Sequence, residues 1–280
     1  MNYALPLKDR VALVTGAGRG VGAALARRLA AAGAAVVVAD LDSEPADATA
    51  QAISGDGGKA ATLVGDVTDE DFGERAIQTM LDAFGGVDII VNNAGYVWNT
   101  SVHKTSDEQW QAMMDCHATA PFRILRAAAP FIREAARKEA DAGTGYQRKV
   151  VNVSSVAGFY GGATQIAYSA AKSAQIGITK TLAKEWARYR VNVNCVGFGF
   201  IETRLTQTWD GDDAARINVG GRDYAVGFAE DARQSLESVI PMGRPGTAEE
   251  AAGAVFLFCL PESDYITGEL VVAGGGLLSY

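Results

Sequence analysis

Seven short, β-rich apolar runs recur along the chain, most of them separated by Ala-rich or amphipathic stretches of helical length. The runs are Val11–Thr15, Ala35–Ala39, Ala61–Val64, Val87–Val91, Val150–Val153, Val191–Val196 and Leu270–Ala273. The helical stretches include Val21–Ala32, Glu70–Phe84 and Gln165–Tyr189. A strand that is apolar at consecutive positions is covered on both faces, and strand alternating with helix implies parallel pairing through crossovers. Right-handed crossovers then lay helices on both sides of the sheet. The pattern predicts an α/β fold on a doubly wound parallel sheet of about seven strands. With 48% hydrophobic and 21% charged residues among 280, the chain can fill the core such a sheet requires. No linker or internal repeat divides it, so residues 1–280 read as a single domain. Two segments break the alternation. Asp141–Arg148 reads as a surface loop, and Thr203–Pro241 is long, Gly-punctuated and irregular, as expected of a lid over residues 203–241.

Charge and cysteine usage narrow the partners. The formal net charge is -8, whereas a nucleic-acid binder carries a basic surplus. Cys116, Cys195 and Cys259 are far apart, no C-x-x-C occurs, and His103 and His117 lack the spacing of a metal pair. No metal site is expected, and reduced, buried thiols suit the cytoplasm. The opening M-N-Y-A-L-P-L-K-D-R has no long apolar core, and no run approaches the ~18 residues of a membrane span. The expectation is a cytoplasmic protein that engages neither nucleic acid nor membrane.

The first strand runs into T-G-A-G-R-G-V-G, Thr15–Gly22, and then an Ala/Leu-rich helix. Glycines let the backbone turn tightly and bring N–H groups close to a pyrophosphate, and the helix N-terminus behind them favours negative charge. An acid follows at the end of the second strand, Asp40 in V-A-D-L-D. Strand, glycine turn, helix and acid together predict a dinucleotide site. Asp40 can accept from the adenosine ribose hydroxyls, and Asp40 with Asp42 would repel a 2′-phosphate. Arg19, inside the turn, could pair with that phosphate. Two carboxylates against one cation favour NAD over NADP.

Tyr168 and Lys172 stand four apart among small residues, so on a helix they share one open face. Alone, the pair is an ordinary solvated face. In sequence with the other motifs, the chain resembles the classical short-chain dehydrogenase/reductase family from Val11 to Gly276. The motifs are T-G-x-x-x-G-x-G at Thr15–Gly22, D-V at Asp66–Val67, N-N-A-G at Asn92–Gly95, V-N-V-S-S at Val151–Ser155, Y-x-x-x-K at Tyr168–Lys172 and I-T-G-E at Ile266–Glu269. Ser155 precedes Tyr168 by 13 positions, the family's usual interval. Arg19 fills a position where the extended branch needs glycine, which argues against a sugar-nucleotide epimerase or dehydratase.

The resemblance implies a single-domain Rossmann-like fold and catalysis by Ser155, Tyr168 and Lys172, with His117 at the fourth catalytic position. It implies cofactor contacts from Gly16, Arg19, Gly20, Val21, Gly22, Asp40, Leu41, Asp66, Val67, Asn93, Gly95, Tyr168, Lys172, Ile201 and Thr203. Tyr168 would exchange a proton with the substrate oxygen while Ser155 holds that oxygen beside the nicotinamide. A phenol titrates near ~10 unless a positive charge favours the phenolate, and Lys172 would supply that charge. Two departures stand out. His117 replaces the usual Asn, either as a packed neutral ring or as a second titrating group. Phe198 replaces the usual Pro in Gly197–Thr203.

Val97, Trp98, Phe159, Tyr160 and Phe200, with Trp209, Tyr224 and Phe228 from the lid, would make an apolar or aromatic substrate pocket. The leading expectation is an NAD-preferring oxidoreductase for a hydrophobic secondary alcohol and its ketone. The rivals are an NADPH-dependent 3-oxoacyl-thioester reductase, of carrier protein or CoA, and a catalytically silent nucleotide sensor. The lid shows no obvious basic cluster for a phosphopantetheine carrier, but Arg204, Arg216, Arg222 and Arg233 lie there and weaken that argument. The resemblance also implies a homodimer or homotetramer packed through helices near 107–136 and 165–189 and the C-terminal segment.

Overall fold

Parallel pairing of successive β–α units organises a computed structural model of the protein, which describes residues 5–203, 206, 215–219, 222–226 and 230–277. The order begins β1 (Val11–Thr15), α1 (Gly20–Ala31), β2 (Ala35–Asp40), α2 (Ser43–Gly55), β3 (Lys59–Val64), α3 (Phe72–Phe84) and β4 (Ile89–Asn92). It continues with α4 (Asp107–Met114), α5 (Ala120–Asp141), β5 (Arg148–Ser155), α6 (Val156–Tyr160), α7 (Ile166–Trp186) and β6 (Val191–Phe198). The last elements are β7 (Ala215–Val219), β8 (Arg222–Val226), α8 (Glu230–Ser238), α9 (Ala248–Leu257) and β9 (Leu270–Ala273).

The main sheet has seven strands in the order β3-β2-β1-β4-β5-β6-β9, every pair parallel. This is the doubly wound, Rossmann-like sheet that the alternating pattern predicts. Consecutive strand residues point to opposite faces. Ala12 and Val14 join the core under α1, α2 and α9, while Val11 and Leu13 join the core under α3, α5 and α7. That two-sided burial is why the strands read as continuous apolar runs. The chain reverses direction of travel between β1 and β4, and the crevice at such a switch point is where open α/β sheets bind ligands.

Several boundaries and three features differ from the sequence expectation. β3 starts at Lys59 and β5 at Arg148, because polar residues at a strand's start still pair in register. Asp141–Arg148 is not simply a surface loop. Arg148 is buried and binds Glu139, with Nη2–Oε1 at 2.5 Å, and the Val87 carbonyl. Tyr146 hydrogen-bonds Asp88 and lies between the guanidinium groups of Arg10 and Arg148. The segment 203–241 is not uniformly irregular. Its described residues include the antiparallel hairpin β7–β8 and helix α8. Finally, one π-helical turn, Asp115–Thr119, interrupts the predicted long helix between α4 and α5.

Candidate active site

The glycine turn is shaped by contacts that tolerate no side chain. Gly16 has φ +63°, and a Cβ there would lie 2.9 Å from the Ala94 Cα. A Cβ on Gly22 would collide with the Gly16 carbonyl oxygen. The N-N-A-G segment clamps the turn from the β4 side. Asn93 Nδ2 donates to the Thr15 carbonyl at 2.9 Å and the Gly16 carbonyl at 3.2 Å, while Thr15 Oγ1 accepts from the Asn93 and Ala94 N–H groups. Helix α1 starts at Gly20 with no side-chain cap and no acidic residue in its first turn. Its first N–H groups are left for an anion. This donor set, on a floor that a single Cβ would fill, fits a dinucleotide pyrophosphate.

The turn opens into a cleft of about 390 Å³ over the C-terminal ends of β1, β2, β4, β5 and β6. Every predicted catalytic and cofactor-contact residue lines it. Gly16, Arg19, Gly20, Val21 and Gly22 form one wall, with Asp40, Leu41, Asp66 and Val67 at the far end. Asn93, Gly95, His117, Ser155, Tyr168, Lys172, Ile201 and Thr203 complete it. Asp66 Oδ1 accepts from the backbone and hydroxyl of Thr68, which fixes the D-V turn. Of the expected substrate wall, Val97 lines the cleft, but Trp98, Phe159, Tyr160 and Phe200 do not; Phe198, not expected there, does. Phe159 packs over Gly197, Phe200 is buried, and Trp98 packs into a small cluster with Met113, Ala167 and Ala171. Trp209, Phe228 and Arg204 lie outside the described residues, as do the side chains of Arg216, Arg222 and Tyr224.

Ser155 ends β5, and its hydroxyl accepts from the Ala157 N–H at 3.2 Å, so it both caps α6 and faces the cleft. Tyr168 and Lys172 project from α7 one turn apart. Lys172 Nζ donates to the Val153 carbonyl at 2.7 Å, a backbone partner that carries no sequence signal. The ammonium is buried, and burial pushes it down to about 8. Tyr168 is pushed up to about 12, first by the enclosure of its hydroxyl and then by the Cys116 thiol. A hydrogen bond with Ser155 opposes that rise. The expected acidification of the phenol by Lys172 is therefore not what dominates. Lys172 Nζ sits 5.7 Å from the Tyr168 ring centroid, and desolvation outweighs charge at that separation.

His117 lies in the π-helical turn, fully buried. Its Nε2 meets the Tyr96 carbonyl at 2.7 Å, which assigns the proton to that nitrogen. Its Nδ1 is buried without a partner. Burial, and then the Lys172 charge, hold the ring well below its ordinary value, so it is neutral. The imidazole stands edge-on to Tyr168 at 5.2 Å between centroids, and a Cβ on Gly95 would collide with it. The ring is a wedge between the N-N-A-G segment and Tyr168. Of the two roles open in the sequence, the packed neutral ring matches this geometry. Thr206 and Cys116 also line the cleft, although no motif marked them.

Residues 10–214 match the family model for short chain dehydrogenase. The chain belongs to the short-chain dehydrogenase family. It is an NAD(P)-dependent oxidoreductase. The 3-oxoacyl-[acyl-carrier-protein] reductase FabG of Vibrio cholerae is 36% identical over 271 residues, covering 97% of this chain and 98% of that protein. FabG of Thermotoga maritima is 32% identical over 274 residues, covering 97% of this chain and 99% of its own. Among solved structures, a provisionally assigned 2-deoxy-D-gluconate 3-dehydrogenase from Agrobacterium tumefaciens with bound NADP gives a TM-score of 0.81 at 33% identity, with 100% of both chains covered. Among the described residues, no helix is long and apolar enough to cross a membrane.

Proposed function

We propose that this enzyme interconverts a 3-oxoacyl thioester and its 3-hydroxyacyl counterpart, with NAD(H) preferred over NADP(H). The observation that carries the reading is the convergence of Ser155, Tyr168 and Lys172 on the cleft that begins at the glycine turn. Two relatives named as 3-oxoacyl-[acyl-carrier-protein] reductases align over nearly their whole length. They move the thioester substrate, second in the sequence analysis, to first place. The retained Ser, Tyr and Lys count against a silent nucleotide sensor.

A bound nicotinamide supplies the hydride to the 3-carbonyl carbon, or accepts it from the carbinol. Ser155 donates to the substrate oxygen and fixes the carbonyl plane. Tyr168 delivers the proton to that oxygen in reduction and takes it in oxidation. Lys172, held by the Val153 carbonyl, is the positive charge that steadies the phenolate as it forms.

Asp40 and Asp42 at the ribose end support NAD(H). The second reading, NADP(H), is favoured by Arg19 and by the NADP in the Agrobacterium structure. Residues 203–241 act as the substrate lid in this reading. Assembly of two or four copies is part of it too, supported by Trp110, Phe122 and Phe131, which stay exposed on α4 and α5. The test compares acetoacetyl-CoA with simple hydrophobic ketones under NADH and NADPH, read by nicotinamide absorbance. We expect kcat/KM at least about tenfold higher for the thioester, with NADH the better reductant. No thioester turnover with either nucleotide overturns the substrate, and a higher kcat/KM with NADPH overturns the cofactor.

A further inference from the structure

The ribose end of the cleft holds three charged side chains, and their pairing is not visible in the sequence. Asp40 is fixed by two backbone donors: Oδ2 accepts from the Gly18 N–H at 2.8 Å and Oδ1 from the Asp42 N–H at 3.1 Å. A Cβ on Gly18 would lie 2.9 Å from Asp40 Oδ2, so the carboxylate and the glycine turn are packed as one unit. Arg19, on the same turn, reaches across to Asp42, with Nη1–Oδ2 at 2.6 Å. Asp42 sits at the N-cap of α2 but makes no side-chain cap hydrogen bond. Its ordinary local role is thus not what holds its carboxylate. Among the described residues that line the cleft, Arg19 and Lys172 are the only arginine or lysine. Lys172 is tied to the Val153 carbonyl at the catalytic end. Among the described residues, a 2′-phosphate would find one cation at the ribose, and a carboxylate already holds it.

We propose that Asp42 is a specificity-determining residue, which by pairing with Arg19 withholds that guanidinium from a 2′-phosphate. The inference rests on the preceding reading that NAD(H) is preferred, and it assigns part of that preference to a residue other than Asp40. Carboxylate and phosphate compete for the same guanidinium fork. To bind Arg19, a 2′-phosphate must displace Asp42 and then lie beside a freed carboxylate as well as Asp40. The two side chains are 44% and 51% exposed, so the pair has only the strength of a surface ion pair. The device is a bias rather than a bar, and salt weakens it.

The test is calorimetric titration of NAD+ and NADP+ into the wild type, Asp42→Asn, Arg19→Ala and the double variant at low salt. Asp42→Asn raises the NADP+/NAD+ affinity ratio roughly five- to tenfold, from release of a surface pair plus one removed repulsion. Arg19→Ala in the same chain cuts the gain to about twofold, the part due to repulsion, and Arg19→Ala alone moves the ratio by less than about twofold, because that guanidinium is already engaged. An unchanged ratio in Asp42→Asn overturns the proposal. So does a gain that survives undiminished in the double variant, which would leave Asp42 acting by repulsion alone. A wild type that binds NADP+ more tightly than NAD+ would sink the NAD(H) preference, while the cycle still measures the Arg19–Asp42 coupling. A wild type that favours NAD+ with no coupling sinks this inference alone.

Discussion

Replacing Lys172 with Met should reveal how much the fold gives up to keep an ammonium at the cleft. The side chain is 4% exposed, and burial brings it down from 10.5 to about 8. Below pH 8 the lysine is protonated in both folded and unfolded chains, and the folded state bears the full cost. That cost is roughly 3 kcal/mol, since each pKa unit is worth about 1.4 kcal/mol. Between about 8 and 10.5 the unfolded chain binds more protons than the folded one, so this contribution to stability rises with pH. The raw profile of the wild type will not show it cleanly. Tyr168 and the thiols of Cys116 and Cys259 stay protonated in the fold to about 12, and Cys195 to about 11. Those groups pull stability the other way above about pH 9. Loss of the Lys172 charge raises the Cys116 and Cys195 thiols further, so in both proteins these groups hold their protons in the fold over most of this range and the difference between the two reports chiefly Lys172. Urea unfolding from pH 7 to 10.5 should show the Met variant's relative advantage shrinking by roughly 3 kcal/mol over that range. A difference that stays flat with pH would mean that the folded lysine titrates like a free one, and the account of its burial would be wrong.

Four further outcomes follow from the same geometry. Tyr168→Phe should lower turnover by about 10²–10⁴-fold, the usual range for general acid–base catalysis, while nucleotide binding followed by calorimetry persists; substantial residual turnover would remove the phenol from the proton path. Because His117 is neutral, His117→Asn should leave the pH dependence of kcat/KM between pH 5.5 and 8 unchanged, and a lost inflection there would show that the ring titrates. Gly95→Ala should impair folding or activity through collision with that ring, and His117→Ala in the same chain should restore part of the loss. Arg148→Ala leaves Asp88 and the largely buried Glu139 without their guanidinium, which should cost about 3–5 kcal/mol in chemical denaturation; a cost under about 1 kcal/mol would mean water reaches the cluster.

What the sequence discloses here depends on whether a residue acts through its neighbours along the chain or across it. The strands were legible because two-sided burial writes itself as consecutive apolar residues, as in Val36–Ala39. The glycine turn, Asp40 and the Tyr168–Lys172 pair were legible because their spacing is local. The helix from Ser43 to Gly55 is only faintly written, because Ala, Ser, Asp and Gln give a weak apolar stripe. The aromatic residues misled for a related reason. Composition says that Phe159 and Phe200 are large and apolar, but only the packing shows that they fill space behind the cleft rather than line it. Arg148 misled in the same way, since a charged residue after a Gly-rich stretch reads as solvated until Asp88 and Glu139 are placed around it. The most instructive difference is at the catalytic pair. The four-residue spacing correctly brings a phenol and an ammonium onto one helix face, and charge alone says the ammonium should acidify the phenol. The structure puts both in a poorly solvated cleft floor, where the neutral form of each is favoured: Tyr168 near 12, Lys172 near 8. A motif reports which groups meet but not the dielectric in which they meet. That second quantity decides whether Tyr168 holds its proton until a substrate oxygen arrives to share it.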